Sequence, residues 1–249
     1  MLIALILVAL YFVAYAVLIH YYGFFWKRIP FPITSDQIPN TKVSILIPLR
    51  NESHRLPELL QSLQSQNYPQ ELLEVILIND HSQDDTLEKA FSARDSSPLG
   101  IQVINLQDHL DPQQPLLAYK KKALEVGIQK ASGTLIVTTD ADCTASPGWI
   151  RTLVSNYETF HYKMIVAPVK INTRPGILSA FQSLDFLVLQ GITGASLQAH
   201  FHTLCNGANL AYEKAVFEEV GGFQGIDQTP SGDDMLLLYK VYKKYPHQI

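Results

Sequence analysis

Hydrophobic and polar positions divide the chain into a long apolar start and an alternating remainder. Residues 1–19 (MLIALILVALYFVAYAVLI) are apolar without interruption, and His20, Tyr21, Tyr22, Phe24, Phe25, Trp26 and the pair Lys27-Arg28 follow. At 1.5 Å per residue, about 20 residues cross the ~30 Å hydrocarbon core of a bilayer. The aromatics read as an interfacial belt and the Lys-Arg pair as the cytoplasmic end. A cleaved signal peptide is the rival reading. It requires a basic segment before the run and a small-x-small site after it, and the sequence has neither. A buried core helix is a weaker rival, because such helices need fewer apolar residues. The expectation is a single-pass membrane protein, anchored by residues 1–28, with the rest of the chain cytoplasmic.

Pro30, Pro32 and Pro39 punctuate a linker over 29–40. Beyond it, strand and helix patterns alternate. Residues 43–47 (VSILI), 74–78 (EVILI), 101–106 and 134–138 (TLIVT) read as buried strands. Between them, Leu56, Leu59, Leu60 and Leu63 form a helical stripe, and 84–94 and 120–131 read as further helices. This alternation predicts an α/β domain over 41–249 with a mainly parallel sheet flanked by helices. Ligands of such sheets bind beyond the carboxyl ends of the strands. Three strands end there in polar punctuation: Pro48-Leu-Arg-Asn-Glu52, Asn79-Asp-His-Ser82 and Thr139-Asp-Ala-Asp142. One such loop is ordinary helix capping; three at one edge point to a site.

Composition narrows the function. The 249 residues are 47% hydrophobic and only 17% charged, because the first 26 carry no charged side chain. A net charge of −4 gives no electrostatic case for nucleic acid. Cys143 and Cys205 stand far apart and outside any C-x-x-C pair, so neither a disulfide framework nor a zinc site is implied. A dinucleotide-dependent dehydrogenase would carry G-x-G-x-x-G after its first strand, and a sugar nucleotidyltransferase a glycine-rich phosphate loop; Pro48-Leu-Arg-Asn-Glu52 holds no glycine.

Four constellations carry chemistry. Asp140-Ala-Asp142 sets two carboxylates one residue apart just past a buried strand, where hard oxygen ligands suit Mg²⁺ or Mn²⁺ bridging to phosphate. A solvated turn uses the same letters. Lys120-Lys121-Lys122 opens the preceding helix, either as a solvated face or as a partner for a diphosphate. Ser231-Gly-Asp233-Asp234 precedes an apolar run; it reads as a helix N-cap or as a general base, and both roles are compatible. Cys205-Asn206-Gly207-Ala-Asn209 is a turn, or a segment where backbone and amides approach a sugar.

Taken in order, these stretches resemble family 2 glycosyltransferases of the GT-A fold, with Val220-Gly-Gly-Phe223 added to the series. The resemblance runs from about residue 41 to the end. It implies that Pro48, Arg50, Glu52 and Asp80 line the nucleotide, and that Lys120 or Lys121, with Asp140, faces its phosphates. It further implies that Asp142, with Asp140 beside it, holds a divalent cation, Mg²⁺ or Mn²⁺. Asn206, Gly207 and Asn209 would face the donor and acceptor sugars. Asp233-Asp234 matches the family's acidic pair, with Asp234 as the base. The activity implied is inverting transfer from a nucleotide-diphosphate sugar, UDP-linked, to a lipid-linked or polysaccharide acceptor at the membrane. The alternative is a nucleotide-sugar-binding fragment or scaffold of a polysaccharide complex, without turnover of its own. The sequence departs from the family pattern at Asn79, where an Asp is usual, and at Asp85, where glycine is common. The later Gln-x-x-Arg-Trp element and C-terminal membrane helices are not in the sequence, which leads to the expectation of a C-terminally truncated domain.

Overall fold

A computed structural model of the chain describes residues 1–35, 37–111, 117–172, 175–201 and 204–249. It divides into two units, Pro32–Ala167 with Cys205–Ile249, and Met1–Phe31 with Pro168–Leu204. Within the stretch 41–249 read from the sequence as one domain, residues 168–204 thus group with the N-terminal helix.

The larger unit is built on a six-stranded sheet in the order β3-β2-β1-β4-β6-β5. Strands β1 (Val43–Leu49), β2 (Leu73–Asn79), β3 (Gly100–Asn105) and β4 (Leu135–Thr138) are parallel. Their near-continuous Val, Ile and Leu runs suit strands covered on both faces: Ile45, Leu46, Ile47, Val75, Ile76, Leu77, Ile136 and Val137 have no exposed surface. The chain leaves β1 toward β2 and β3, then returns to add β4 on the other side of β1. The crevice between β1 and β4 is therefore the topological switch point, where open sheets bind ligands. Registers Leu49↔Asn79 and Leu46↔Thr138 bring the three polar loops to one edge.

Helix α2 (Leu56–Gln64) buries the leucine stripe read from the sequence. Helix α3 (Thr86–Ser96) connects β2 to β3, and α4 (Tyr119–Lys130) precedes β4. Gly127 lets α4 lie close on the sheet, since a Cβ there would stand 3.0 Å from the Leu46 side chain and 3.1 Å from that of Ile78. Helix α5 (Trp149–Phe160) leads to the short β5 (Met164–Val166). Strand β6 (Leu210–Glu213) runs antiparallel between β4 and β5, pairing Leu210 with Thr138. The start of β6 thus arrives at the end of β4. Helices α7 (Lys214–Glu219) and α8 (Asp233–Lys244) complete this unit.

The second unit contains α1 (Leu2–Trp26) and α6 (Ile177–Gln198). α1 has no buried residue. By length and composition, both helices are long and apolar enough to cross a membrane. The sequence reading counted one of them, α1, and assigned no element over 177–198.

Candidate active site

The edge beyond β1, β2 and β4 gathers most of the acidic and basic residues singled out from the sequence. Asp140 leaves β4, and the Lys120 ammonium, on the first turn of α4, stands 2.9 Å from its Oδ1. The same ammonium lies 3.8 Å from Oδ2 of Asp233 on the first turn of α8. Lys120 therefore bridges two acidic segments 20 and 113 residues away, pairs that only the fold brings together. Burial pulls the Lys120 ammonium down, but Asp140, Asp233 and Asp234 outweigh it and hold it above its ordinary value. Burial pushes the Asp233 carboxyl up; Lys120 opposes this, and Asp234 and Asp140 add to it, so the net direction is upward.

Asp234 is held differently. Its Oδ2 accepts the Gly207 N–H at 2.9 Å and its Oδ1 accepts the Met235 N–H at 2.6 Å. A carboxylate has about four acceptor positions, so these bonds orient the group and leave lone pairs available. Further contacts hold the 205–209 segment. Asn206 Oδ1 accepts the Ala208 N–H at 2.9 Å, Gly207 O accepts the Thr138 hydroxyl at 2.6 Å, and Asn209 Oδ1 accepts the Trp149 indole N–H at 2.8 Å. The side-chain oxygens of Asn206 and Asn209 are thus engaged with their own surroundings. Burial, with Asp234 and Asp233 nearby, pushes the Cys205 thiol well above its ordinary value, which keeps it a neutral thiol.

Asp142 faces Arg55, whose guanidinium stands 3.2 Å from its Oδ2 and 3.8 Å from Oε2 of Glu52. Arg55 was not singled out from the sequence; it precedes α2 as a helix-entry residue, and nothing in the sequence links it to a carboxylate 87 residues away. Glu52 Oε2 is buried without a hydrogen-bond partner. Asp80 is buried, its Oδ1 accepts from His81 Nδ1 at 2.8 Å, and its Oδ2 lies 3.9 Å from the Arg50 guanidinium. Pro48, the last residue but one of β1, is paired in register with Ile78. Asn51 and His81 adopt left-handed conformations at φ 56° and 55°, and the 51–53 and 82–86 loops are laced together. The Asn51 N–H donates to Ser82 Oγ, and the Gln83 N–H to Asn51 Oδ1.

The two departures from the family pattern have local accounts. Asn79 donates through Nδ2 to Asn105 Oδ1 at 3.0 Å and accepts the Ser82 N–H at 3.3 Å; an ionised Asp has no donor for the first bond. Asp85 precedes α3 and pairs with Lys89 one turn on, at 3.0 Å.

The two lysines offered by the sequence as alternatives separate here. Lys120 meets the carboxylates. Lys121 is 2% exposed, and its ammonium donates to the carbonyls of Ile226, Thr229 and Ser231 at 2.8, 2.6 and 2.9 Å. Its side chain points into the loop ahead of α8, away from the phosphate role that the resemblance allowed it.

Among the described residues no group of three or more His, Cys, Asp or Glu side chains could hold a metal ion. Asp140 and Asp142 still suit one. They are hard, partly exposed carboxylates, each already facing a cation at ion-pair distance. Mg²⁺-like ions are typically bound through one or two carboxylates, with substrate phosphates and waters completing the shell.

A family model described as "Glycosyl transferase family 2" matches residues 44–221. Glycosyltransferase AglE of Haloferax volcanii is 28% identical over 184 residues, which cover 73% of this chain and 55% of that protein. An undecaprenyl-phosphate 4-deoxy-4-formamido-L-arabinose transferase of Proteus mirabilis is 32% identical over 121 residues, 47% of this chain and 34% of that one. The chain spans about half or less of the length of these relatives. Among solved structures, the mannosyltransferase PcManGT of Pyrobaculum calidifontis, in complex with GDP-Man and Mn²⁺, is similar at a TM-score of 0.70 and 22% identity. The match covers 94% of this chain and 62% of that one.

Proposed function

The chain belongs to glycosyl transferase family 2, and on that premise we propose that it transfers a sugar, with inversion, from a UDP-sugar to a lipid-linked or polysaccharide acceptor at the membrane. The observation that carries this reading is Lys120, at the β1/β4 switch point, standing between Asp140 and Asp233. That cluster joins the loop suited to a diphosphate and its cation to the helix that carries the acidic pair. Arg50, Asp80 and Glu52 supply the polar wall for the nucleotide. Asp142 and Asp140 would hold Mg²⁺ or Mn²⁺, which supplies Lewis-acid stabilisation of the leaving diphosphate when bound. Lys120 adds a fixed positive charge where the diphosphate charge grows.

Asp234 is the proposed base. The N–H groups of Gly207 and Met235 orient its carboxylate, and it takes the proton of the acceptor hydroxyl as that oxygen attacks the anomeric carbon. An ordinary carboxylate is ionised at neutral pH, so position matters more than basicity. A second assignment has its own support: Asp233 lies nearer Lys120, and its raised pKa favours a proton acceptor tuned toward neutrality. Of the two, the orienting bonds favour Asp234. The membrane setting follows from reading α1 as an anchor and Lys27-Arg28 as its cytoplasmic end.

Titration calorimetry with UDP and GDP, each with and without Mn²⁺, tests the donor side. Metal-dependent UDP binding is expected, and its absence overturns the reading; a preference for GDP corrects the nucleotide alone. Incubation with UDP-sugars and a polyprenyl phosphate, read by mass spectrometry, tests transfer. Donor binding without transfer by any acceptor would favour the binding-fragment alternative.

A further inference from the structure

Helix α6 turns an apolar face outward. A helix on a water-soluble protein turns its apolar stripe inward. In α6, Ile177, Phe181, Leu184 and Val188 form one face at helical spacing and are 92%, 65%, 61% and 52% exposed. The opposite face carries Ser183, Phe186 and Gln190, half-buried, and Thr193, buried, while the polar Gln182 and Asp185 stand exposed at the border of the apolar face. Gln190 is tied inward, its Oε1 accepting the Val169 N–H at 3.2 Å. Apolar-out and polar-in is a stable arrangement where the outer medium is hydrocarbon.

Continuity with α1 identifies that medium. A Cβ on Gly194 would stand 2.9 Å from the Ile29 side chain and 3.5 Å from the Trp26 ring. The end of α6 thus packs at the level of the aromatic belt that closes α1. Connectivity decides how α6 lies. The chain enters this excursion from β5 and leaves it into β6, and these strands are neighbours in one sheet. α6 is the only helix of spanning length between them among the described residues. A helix crossing the bilayer once would leave its two ends on opposite sides, and a return in extended backbone would strand unpaired peptide groups in hydrocarbon.

We propose that α6 lies flat in the membrane interface, with the Ile177, Phe181, Leu184 and Val188 face in the lipid and the Gly194 end docked on Trp26 and Ile29. The chain would then touch the bilayer through two elements, one crossing and one surface-bound. The proposal rests on the anchoring role of α1 in the function proposed above.

The test is nitroxide labelling of the full chain in phosphatidylcholine vesicles, in a Cys143→Ser, Cys205→Ser background. Single labels stand at Phe181, Leu184 and Val188, with one at Leu10 to report α1 separately. These sites are exposed, so labelling leaves the packing undisturbed. Collision with oxygen several-fold above collision with a water-soluble nickel chelate is expected at all four. The three α6 labels should share one shallow depth, with Leu10 deeper. A lipid signal at Leu10 with nickel-accessible α6 labels overturns the α6 proposal and leaves the anchor standing. Labels shielded from both reagents mean a protein partner or a second copy covers the face, and depth rising steadily from 181 to 188 means a span; either overturns it. Loss of the lipid signal at Leu10 overturns the anchor and the proposal together.

Discussion

Adjacent residues divide the work at the edge of the sheet. Lys120 and Lys121 sit about 100° apart around α4, so one reaches the carboxylates of Asp140 and Asp233 and the other the three loop carbonyls. Lys121→Met should leave those carbonyls unsatisfied at a cost of about 1–3 kcal/mol, seen as a lower unfolding midpoint. It should also weaken transfer more than donor binding, because the loop it holds leads into Asp233 and Asp234. Asp142→Ala should remove the Mn²⁺-dependent gain in UDP affinity in calorimetry while leaving any metal-free binding in place. Asp234→Asn should keep donor affinity and lower the transfer rate by about 10²–10⁴-fold, the usual worth of a general base. If Asp233→Asn produces that loss and Asp234→Asn does not, the base assignment moves one residue. The identities of these residues were legible in the sequence. The lysine register was not, because neighbouring side chains on one helix differ only in direction.

At the scale of elements, Glu74 holds the far end of the sheet. It is a polar residue in the apolar run of β2, and its carboxylate accepts from the Ser44 hydroxyl of β1 and from the Ser132 and Gly133 N–H groups ahead of β4. Burial pushes its carboxyl up, but the hydrogen bonds from Ser44, Ser132 and Gly133 outweigh burial and leave it below its ordinary value. A carboxyl depressed in the folded state contributes stability above its unfolded pKa and loses it as pH falls through the folded value. Glu74→Ala should therefore lower stability at neutral pH by about 1–3 kcal/mol. The gap to wild type should close as pH drops below about 4, the ordinary carboxylate range. Denaturant unfolding at several pH values measures this. Periodicity found α2, α4 and the parallel strands because their apolar spacing matches their burial. It passed over β5 and β6, which are three and four residues long. It also passed over α6, whose apolar face does not point into the core.

For the molecule as a whole, UDP with Mn²⁺ should raise the unfolding midpoint. At 100 times the dissociation constant the added stability is about 2.7 kcal/mol, and it should vanish with a chelator. The unit holding the sheet carries this response, since every proposed nucleotide and metal residue lies in it. The same measurement on Asp142→Ala should show no metal-dependent shift.

The sequence by itself determined the parallel strands, the polar loops at their ends and the apolar anchor candidate, because local spacing and turn chemistry dictate each within a few residues. The family resemblance rested on the order of those loops. Only the tertiary structure decided which of them meet. It set Arg55 against Asp142, and Lys120 between Asp140 and Asp233. It gave the Asp234 carboxylate to the Gly207 backbone and turned the apolar face of α6 outward. Each depends on which way a side chain points once distant segments pack, and spacing along the chain carries no record of that direction.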